Sequence, residues 1–398
     1  SAWLTRFPSE RRAEYAAAKS DLHDNAAPGK RIVSPEQLRN VSGFLKAEFT
    51  KQGTTVHIIG DRNKYHKCLF GPLVAAWEAA ARDQNGVFKA VFGTSLDVGQ
   101  ALYDLSTQSS EAVYEIDHTA FDAHQSPEVL GLYLDELFKR SDTSTMLWPD
   151  AIKKAYMAPM WFYRNGCRYA TSGGRCSGDV DTTFGNTVLS EALVRTVAQL
   201  SGVQTQQLCK GDDNVIVQTS RGTFDVSLFA RFGFDVKCIE RPDVLSAEFC
   251  SGYLLPVQIR GEMRYRHVRV PWKVIRHTPW ALGNLGYRGS VRRFKEKAYM
   301  ELLANASVPI MGALCRKWLR DSGLPDLSLR RDRHDEHKIW YYSRAPDEAA
   351  TVHPEARLVY ARRYGISPEV QVDTERYLDS LWAGEPIDHP ILCQLAEI

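Results

Sequence analysis

The residues best suited to chemistry in this sequence are two adjacent aspartates, Asp212 and Asp213. They lie in the segment 208–217, where apolar residues stand on both sides of a Gly-Asp-Asp-Asn sequence. This pattern predicts two short strands joined by a tight turn, with both carboxylates at the tip of the hairpin. A divalent cation can bind there and neutralise the two charges. Taken alone, the segment is more typical of a solvated turn, because Gly and Asp are common turn residues.

A second pair of carboxylates, Asp117 and Asp122, lies upstream at the end of a β-favouring run. The segment 126–128 contains Ser-Pro-Glu, which predicts a helix that begins with an N-cap serine followed by proline and an acid. Apolar residues then recur at helical spacing, at Leu130, Leu134, Leu137 and Phe138. The predicted order is strand, loop with two carboxylates, and helix. By themselves, such aspartates are again more typical of a solvated loop.

Between these pairs lies a glycine-rich segment, residues 172–186, that leads into a second helical pattern. Its glycines allow a ligand to approach the backbone closely. Three polar side chains recur every four or five residues, so some could share one side of the helix start; they are Ser177, Thr182 and Asn186. The core stripe of this helix is predicted at Leu189, Leu193, Val197 and Leu200. A plain helix-capping loop explains the segment equally well when it is considered alone.

The three segments together resemble the palm of viral RNA-dependent RNA polymerases. The order Asp-x4-Asp, Ser-Gly-x3-Thr-x3-Asn and Gly-Asp-Asp is that of the family motifs A, B and C, and the sequence is most similar to the positive-strand tombusvirus-like and nodavirus-like enzymes. The resemblance runs from about residue 44 to about residue 280. It implies an α+β fold of the right-hand polymerase type. It also implies an RNA-directed RNA polymerase, a nucleotidyltransferase that replicates the genome of a positive-strand RNA virus.

Weaker matches follow this core. Residues 232–237 resemble motif D, whose lysine, Lys237 in this sequence, is implied to protonate the leaving pyrophosphate. Residues 248–251 resemble motif E, the hairpin that supports the primer strand. An ordinary surface lysine is the alternative for Lys237. Near the start of the chain, residues 27–29 weakly resemble the template-entry motif G.

Residues 44–48 and 56–65 resemble motif F, a basic strand pair over the nucleotide triphosphate. The family usually has an arginine where this sequence has His57, so the sequence departs from the family pattern at this position. The cations predicted to contact the triphosphate instead are Lys46, Arg62 and Lys64. Ordinary solvated surface charge is the alternative for each of them.

The chemistry of nucleotidyl transfer requires these residue types. A 3′-oxygen attacks an α-phosphate in line, and two cations about 3.5–4 Å apart can stabilise the attacking and leaving oxygens together. Mg²⁺ takes hard oxygen ligands and usually only one or two carboxylates plus phosphates. Asp117 and Asp212 are therefore predicted to hold two Mg²⁺ or Mn²⁺ ions per active site, with Asp213 assisting. RNA is distinguished by its 2′-hydroxyl, which needs a polar partner. Substrate contacts are predicted at Asp122, Ser177, Gly178, Thr182 and Asn186.

Length and composition agree with an enzyme core. A chain of 398 residues can bury a large core, and its 44% apolar and 25% charged residues are typical of a globular protein. The eight cysteines lack Cys-x2-Cys spacing, which argues against a structural zinc site or a secreted disulfide framework and favours a reducing setting. No apolar run approaches the roughly 18 residues of a transmembrane helix. The sequence begins at Ser1 and shows no signal peptide, so we expect a processed or excised fragment.

The net charge of +2 does not by itself predict nucleic-acid binding, but the distribution of charge is informative. Residues 259–297 contain eleven Lys or Arg and two acids, with aromatic residues interleaved. Such a basic stripe is typical of a channel lined by phosphates, and a solvated charged face is the alternative. RNA contacts are predicted at Arg264, Arg266, Arg269, Lys273 and Arg276.

The resemblance implies the following domains. Fingers are expected at 1–108, with a fingers insertion at 143–176. The palm is expected at 109–142 (motif A) and 177–256 (motifs B to E), as a small antiparallel sheet backed by helices. A mainly helical thumb is expected at 257–398.

The expected partners are the RNA template, the nascent RNA strand, NTPs and other viral replicase components. The resemblance implies the cytoplasm of an infected host cell, at membrane-associated replication complexes reached through other replicase parts. Two other functions stay open: an inactive polymerase-like RNA-binding protein, and a metal-dependent phosphohydrolase. The intact aspartates argue against the first, and the Ser177 to Asn186 element argues against the second.

Overall fold

The computed structural model describes residues 3–7, 9–25, 34, 37–46, 57–83, 91–142, 149–157, 160–164, 167–171, 173–259, 261–280, 285–323 and 351–397. The mixed α and β content predicted from the sequence is confirmed, with short sheets surrounded by helices. The predicted motif G segment, 27–29, lies outside the described residues. Among the described helices, none has the length and apolar character needed to cross a membrane.

Within those ranges, the helices are α1 (Ser9–Asn25), α2 (Lys64–Asp83), α3 (Ser95–Ser106), α4 (Phe121–His124), α5 (Pro127–Lys139), α6 (Pro149–Met157), α7 (Thr182–Leu200), α8 (Leu228–Arg231), α9 (Pro271–His277), α10 (Gly286–Asn305), α11 (Met311–Asp321), α12 (Pro354–Tyr364), α13 (Pro368–Ser380) and α14 (Pro390–Glu397). The strands are β1 (Asn40–Leu45), β2 (Ile58–Arg62), β3 (Ala112–His118), β4 (Met160–Arg164), β5 (Cys167–Thr171), β6 (Thr205–Lys210), β7 (Asp213–Gln218), β8 (Val236–Arg241), β9 (Gly252–Ile259) and β10 (Glu262–Arg269).

Helix α5 begins where the sequence predicts it. The Ser126 side chain accepts a hydrogen bond from the Val129 backbone N–H, and Pro127 occupies the first helical position. In α7, Leu193 and Val197 are buried as predicted. Leu200 is 56% exposed, so its place in the core stripe was wrong, because it is the last residue of the helix and points to solvent.

The strands form three sheets. One has the order β6-β7-β3-β8 and is antiparallel throughout. The second has the order β2-β1-β4-β5, in which β1 and β4 run parallel. The third is the β9–β10 hairpin. Strands from the two segments 40–62 and 160–171 therefore share one sheet. Strand β3 lies between these segments in the sequence but belongs to the β6-β7-β3-β8 sheet.

The β6-β7-β3-β8 sheet is covered on both faces, because alternate residues of each strand point to opposite sides. On one face, Ile116 and Ile216 pack with Val194 and Val197 of α7. On the other face, residues of the same strands join a larger core with α3 and α5 that includes Val113, Leu208, Val215, Val217, Leu102 and Leu130. The ends of the strands at Asp117 and Asp213 are left as a polar edge of this second face.

The β9–β10 hairpin connects two cores. Leu254 of β9 packs in the core of the sheet and α3, while Tyr253 and Leu255 pack with the C-terminal helices. The palm–thumb boundary predicted at residues 256 and 257 therefore falls inside β9. Alternate residues of this one strand pack in both cores, so β9 spans the predicted boundary.

Candidate active site

Asp212 and Asp213 lie at the tip of the hairpin formed by β6 and β7, as predicted from the sequence. Lys210 pairs with Asp213 across the hairpin, so Gly211 and Asp212 form a two-residue turn. Gly211 has a φ of 64°, a left-handed conformation that glycine adopts without strain. The turn thus presents the Asp212 carboxylate beyond the end of the strands.

Asp117, Asp213 and Lys237 form a row across three neighbouring strands. The register pairs Asp117 on β3 with Asp213 on β7 and with Lys237 on β8. Directly opposite residues of antiparallel strands point to the same face, with Cβ atoms about 4.5–5.5 Å apart. Lys210 extends the row on β6, opposite Asp213. This face therefore carries two carboxylates at its centre and a lysine on each side.

The carboxylates repel one another. Burial is the largest cause that raises the pKa of Asp212, and the negative charges of Asp117 and Asp122 add to it. Burial, followed by the charges of Asp212 and Asp117, raises the pKa of Asp213 to about 6. A hydrogen bond from Cys250 and the charge of Lys273 act in the opposite direction on Asp213. Burial and the charges of neighbouring carboxylates therefore both disfavour the ionised forms of Asp212 and Asp213.

This donor set fits a hard divalent cation. Across the described ranges, no group of three or more His, Cys, Asp or Glu side chains is arranged to hold a metal ion by itself. Mg²⁺ usually binds through only one or two carboxylates and takes its other ligands from water and substrate phosphates. The mutual repulsion of Asp117, Asp212 and Asp213 is what a bound cation would relieve.

Asp122 is held by two donors. The Ser177 hydroxyl donates to Asp122 Oδ2 at 2.9 Å, and Asn186 Nδ2 donates to Asp122 Oδ1 at 2.6 Å. Ser177 comes from the loop before α7 and Asn186 from its first turns, so the structure joins segments predicted separately as motifs A and B. Each oxygen of Asp122 keeps further acceptor capacity, because a carboxylate can accept about four hydrogen bonds.

The other predicted substrate residues of this segment serve the loop itself. The Thr182 hydroxyl lies 2.9 Å from the Cys176 carbonyl and 3.0 Å from the Asp179 carbonyl. Gly178 lies against β2, where its N–H donates to the Gly60 carbonyl at 3.0 Å. A Cβ at position 178 would lie 2.5 Å from that carbonyl oxygen, so this contact requires glycine. The structure thus gives both residues local roles.

Arg62 does not line the opening as the triphosphate prediction required. Its guanidinium is fully buried, and Nε donates to Asp179 Oδ1 at 2.7 Å. The same group lies 4.4 Å from the ring centroid of Tyr156 and donates to the Ala155 carbonyl. The prediction is corrected because the sequence could not show that Asp179 lies beside β2.

The remaining motif F residues lie nearer to solvent. Lys46 is exposed, and its backbone N–H donates to the carbonyl of His57, which is also exposed. Lys64 is half-buried at the start of α2, with its ammonium 5.4 Å from the ring centroid of Tyr65. Both lysines stay predictions as triphosphate contacts.

The five basic residues predicted to bind RNA lie in different surroundings. Arg266 is buried and donates to Ser95 and to the Leu303 carbonyl, so its prediction as an RNA contact is corrected. Arg264 pairs with Glu262 and Arg269 with Glu301, at 2.6 and 2.5 Å. The other two are Lys273, which lies beside Asp213, and Arg276, which is exposed.

The predicted motif E segment forms a tight turn beside Asp213. Phe249 and Gly252 bond to each other, and the two residues between them, Cys250 and Ser251, have φ values of 48° and 57°. These left-handed conformations are unfavourable for residues other than glycine, and such strain often marks functional regions. Lys273 donates to the Ser251 hydroxyl, which anchors the turn. The turn brings the Cys250 thiol to the Asp213 carboxylate.

A buried polar network supports the hairpin tip from the opposite face of the sheet. The Gly211 N–H donates to the Thr187 hydroxyl at 2.9 Å. Ser190 donates to Asn214 Oδ1 at 2.9 Å, Asn214 Nδ2 donates to the Asp212 carbonyl at 2.9 Å, and His118 Nε2 lies 3.2 Å from the Ser190 hydroxyl. The sequence predictions missed these residues. The signal available was the spacing of Asn186 and Ser190, which are four apart and so share one helix face.

Comparison with known proteins gives consistent matches. The profile of a family described as viral RNA dependent RNA polymerase matches residues 99–384. A Barley yellow dwarf virus (isolate MAV) protein with the provisional name RNA-directed RNA polymerase is 24% identical over 396 residues, which cover 92% of this chain and 44% of the relative. The RNA-directed RNA polymerase of Groundnut rosette virus (strain MC1) is 24% identical over 429 residues, 96% of this chain and 46% of the relative. The RNA-directed RNA polymerase of Cymbidium ringspot virus is 23% identical over 405 residues, which cover 94% of this chain and 48% of the relative. The chain spans less than half the length of these relatives.

Proposed function

The chain belongs to the viral RNA-dependent RNA polymerase family, and from this premise we propose that it synthesises RNA on an RNA template. The reaction is transfer of a nucleotidyl group from an NTP to the 3′ end of a growing RNA, in replication of a positive-strand RNA virus genome. The observation that carries the proposal is the position of Asp117 opposite Asp213, beside the Asp212 turn.

Asp117 and Asp212 would hold two Mg²⁺ or Mn²⁺ ions, with Asp213 assisting. When bound, the ions would supply charge to stabilise the attacking and leaving oxygens of the displacement. The chain contributes fixed positions for these carboxylates. Strand register sets Asp117 and Asp213, while Thr187 and Asn214 anchor the turn that carries Asp212.

Asp122 would recognise the sugar of the incoming nucleotide. As an acceptor, its carboxylate can take a hydrogen bond from a 2′-hydroxyl, and a deoxynucleotide lacks that donor. Ser177 and Asn186 support this role because each already donates to one oxygen of Asp122 and so fixes the carboxylate plane.

Lys237 would protonate the leaving pyrophosphate. Its place in the row with Asp117 supports the role, because the register directs both side chains to the same face. A positioned general acid typically contributes about 10²–10⁴-fold to a rate. Lys46 and Lys64 would add charge near the triphosphate.

We assign the chain a right-hand arrangement, with fingers at 1–108 and 143–176, a palm sheet of β6-β7-β3-β8, and a thumb in the C-terminal helices. Support comes from the shared sheet of β1, β2, β4 and β5, which links the two segments assigned to the fingers. The core of the C-terminal helices with β9 and β10 supports a separate thumb.

The RNA template and the nascent strand would contact Lys273, which lies near Asp213, and Arg276, which lies at the surface. Other replicase components would place the chain at membrane-associated replication complexes in the cytoplasm of an infected cell.

The test is incorporation of labelled NTPs on a short RNA template with Mg²⁺ or Mn²⁺. Template-dependent product with the unmodified chain, and none with Asp212→Ala, supports the proposal. RNA binding without incorporation would favour an inactive RNA-binding protein. Release of phosphate without strand extension would favour a phosphohydrolase.

A further inference from the structure

A buried hydrogen-bond relay reaches Asp122 from the interior of the protein. Arg175 Nε donates to Gln125 Oε1 at 2.9 Å, and Gln125 Nε2 donates to Asn186 Oδ1 at 2.9 Å. Asn186 Nδ2 then donates to Asp122 Oδ1 at 2.6 Å. Gln125 has no exposed surface, and Arg175 and Asn186 are almost as buried.

The direction of this relay is fixed at both ends. A guanidinium only donates, so the atom of Gln125 that faces Arg175 must be the amide oxygen. The Gln125 nitrogen therefore faces Asn186, and the atom of Asn186 that it meets must be an oxygen. An ionised carboxylate only accepts, so the Asn186 nitrogen at Asp122 completes the same direction. No amide in the relay can turn over without breaking two hydrogen bonds.

Arg175 is itself held by groups remote from the reaction. Its Nη1 donates to Asp181 Oδ2 at 2.5 Å, and both side chains are fully buried. The hydroxyls of Tyr133 and Tyr156 also donate to the Asp181 carboxylate, at 3.0 and 2.5 Å. The relay thus begins at a buried ion pair whose geometry is fixed by two helices, α5 and α6.

Gly185 makes room for this end of the relay. A Cβ at position 185 would lie 2.7 Å from both terminal nitrogens of Arg175, closer than real Cβ contacts allow. Gly185 lies within α7, one residue before Asn186, and its backbone needs no left-handed conformation. Its absence of a side chain therefore serves the position of Arg175.

We propose that Gln125 is a positioning residue for sugar selection, which sets the amide of Asn186 and through it the acceptor geometry of Asp122. This inference rests on the proposed function. Arg175 and Gly185 contribute to the same relay. Arg175 orients Gln125 by donating a hydrogen bond to it, and Gly185 leaves room for the Arg175 guanidinium because it has no side chain. The substrate class that the relay selects is the ribonucleoside triphosphate.

Gln125→Glu is the sharpest test, because it keeps the volume and the acceptor for Arg175 but removes the donor to Asn186. The Asn186 amide would then turn its nitrogen to the introduced carboxylate and its oxygen to Asp122. We expect the preference for NTP over dNTP, measured as the ratio of kcat/KM values, to narrow roughly ten-fold, since one buried hydrogen bond to Asp122 is lost. Thermal unfolding checks that the variant is folded, and Gly185→Ala should narrow the ratio in the same direction.

Two controls isolate the relay. Gln206→Glu makes the same chemical change on the exposed face of β6 and should leave the ratio unchanged. In an Asn186→Ala background, Gln125→Glu should cause no further change in the ratio, because Gln125 acts through Asn186. A further change in that background would overturn the proposal, as would a folded Gln125→Glu variant with the unmodified ratio.

If the unmodified chain makes no RNA, the proposed function fails and this inference fails with it. If the unmodified chain makes RNA and the ratio of kcat/KM values does not change in the Gln125→Glu variant, only this inference fails.

Discussion

Asp117 and Asp213 lie directly opposite each other on neighbouring strands, with their side chains on the same face of the sheet. Like charges in this position destabilise a strand pair, and the charge of Asp117 contributes to the raised pKa of Asp213. The fold keeps the two carboxylates together in spite of this repulsion. A site that concentrates negative charge in this way is suited to cations.

Removal of one carboxylate should abolish catalysis without preventing RNA binding. We expect Asp212→Ala and Asp117→Ala to lose nucleotide incorporation, because each removes a metal ligand and not a phosphate contact. The measurement is primer or template extension with Mg²⁺ and with Mn²⁺, together with RNA binding by fluorescence anisotropy. Asp235→Ala, an exposed aspartate just before β8, is the matched control and should stay active. Substantial extension by either site variant would exclude the two-metal mechanism.

The pair Asp122 and Asn186 should govern the choice of sugar. Substitution of either residue by Ala leaves the other without its hydrogen-bond partner, which costs roughly 1–3 kcal/mol. Asp122→Ala or Asn186→Ala should therefore narrow the NTP over dNTP preference by on the order of ten-fold or more, measured in competition assays. An unchanged ratio, at any overall activity, would remove both residues from sugar recognition.

Lys237 should affect the chemical step more than nucleotide binding. Lys237→Leu removes the proposed proton donor, and general acids typically contribute about 10²–10⁴-fold. We expect slower single-turnover incorporation at saturating NTP, with NTP affinity almost unchanged. Lys237→Arg keeps the positive charge but is a much weaker acid, so it should not restore the rate. If the saturated rate of Lys237→Leu equals that of the unmodified chain, Lys237 is a surface charge on β8.

Arg62 should contribute to stability and not to triphosphate binding. Arg62→Met leaves the buried carboxylate of Asp179 without its partner, which typically costs about 3–5 kcal/mol. Urea unfolding measures the loss. Lys64→Met, at a less buried cation nearby, should change the free energy of unfolding by only about 0.5 kcal/mol. A stable Arg62→Met variant with a raised KM for NTP would restore the triphosphate role instead.

His267 should make the fold sensitive to acid. Burial lowers the pKa of His267 to about 4, and its Nε2 donates to the Phe249 carbonyl at 2.7 Å. As pH falls below about 6.5, His267 takes up a proton in the unfolded chain but not in the folded chain. The stability that the neutral His267 contributes is therefore fully present above that pH and is lost as pH falls toward 4. At pH 5 the loss from this group is about 2 kcal/mol relative to neutral pH.

The check is urea unfolding of the unmodified chain and of His267→Gln at pH 7.5 and pH 5. Glutamine keeps a donor for the Phe249 carbonyl but does not titrate. The variant should therefore lose less stability on acidification than the unmodified chain. Equal losses would show that other groups cause the acid sensitivity.

Local chemistry made part of the fold predictable. The Gly-Asp-Asp turn could be placed at a hairpin tip because glycine and aspartate favour turns and the flanking residues favour strands. The start of α5 could be predicted because the Ser126 cap and Pro127 act within one helical turn. Both features depend on neighbours in the sequence, so no tertiary information was needed.

Features that depend on distant pairing could not be predicted. Arg62 has the same sequence character as an exposed cation, and only the fold brings Asp179 to it. The roles of Gln125 and Thr187 could not be predicted from the sequence, because they come from the atoms that each side chain contacts across elements. The strand register that places Lys237 opposite Asp117 likewise depends on three strands assembled from separate segments.

The strand order β6-β7-β3-β8 also determines when the site can exist during synthesis of the chain. The strand with Asp117 leaves the ribosome before both of its neighbours, which come from later in the sequence. Long-range pairings of this kind form only after the later segment is available. A nascent chain that has not yet extended beyond Arg241 therefore has no complete site. Under the proposed function, a nascent chain could not copy an RNA template until these later strands had been translated and paired.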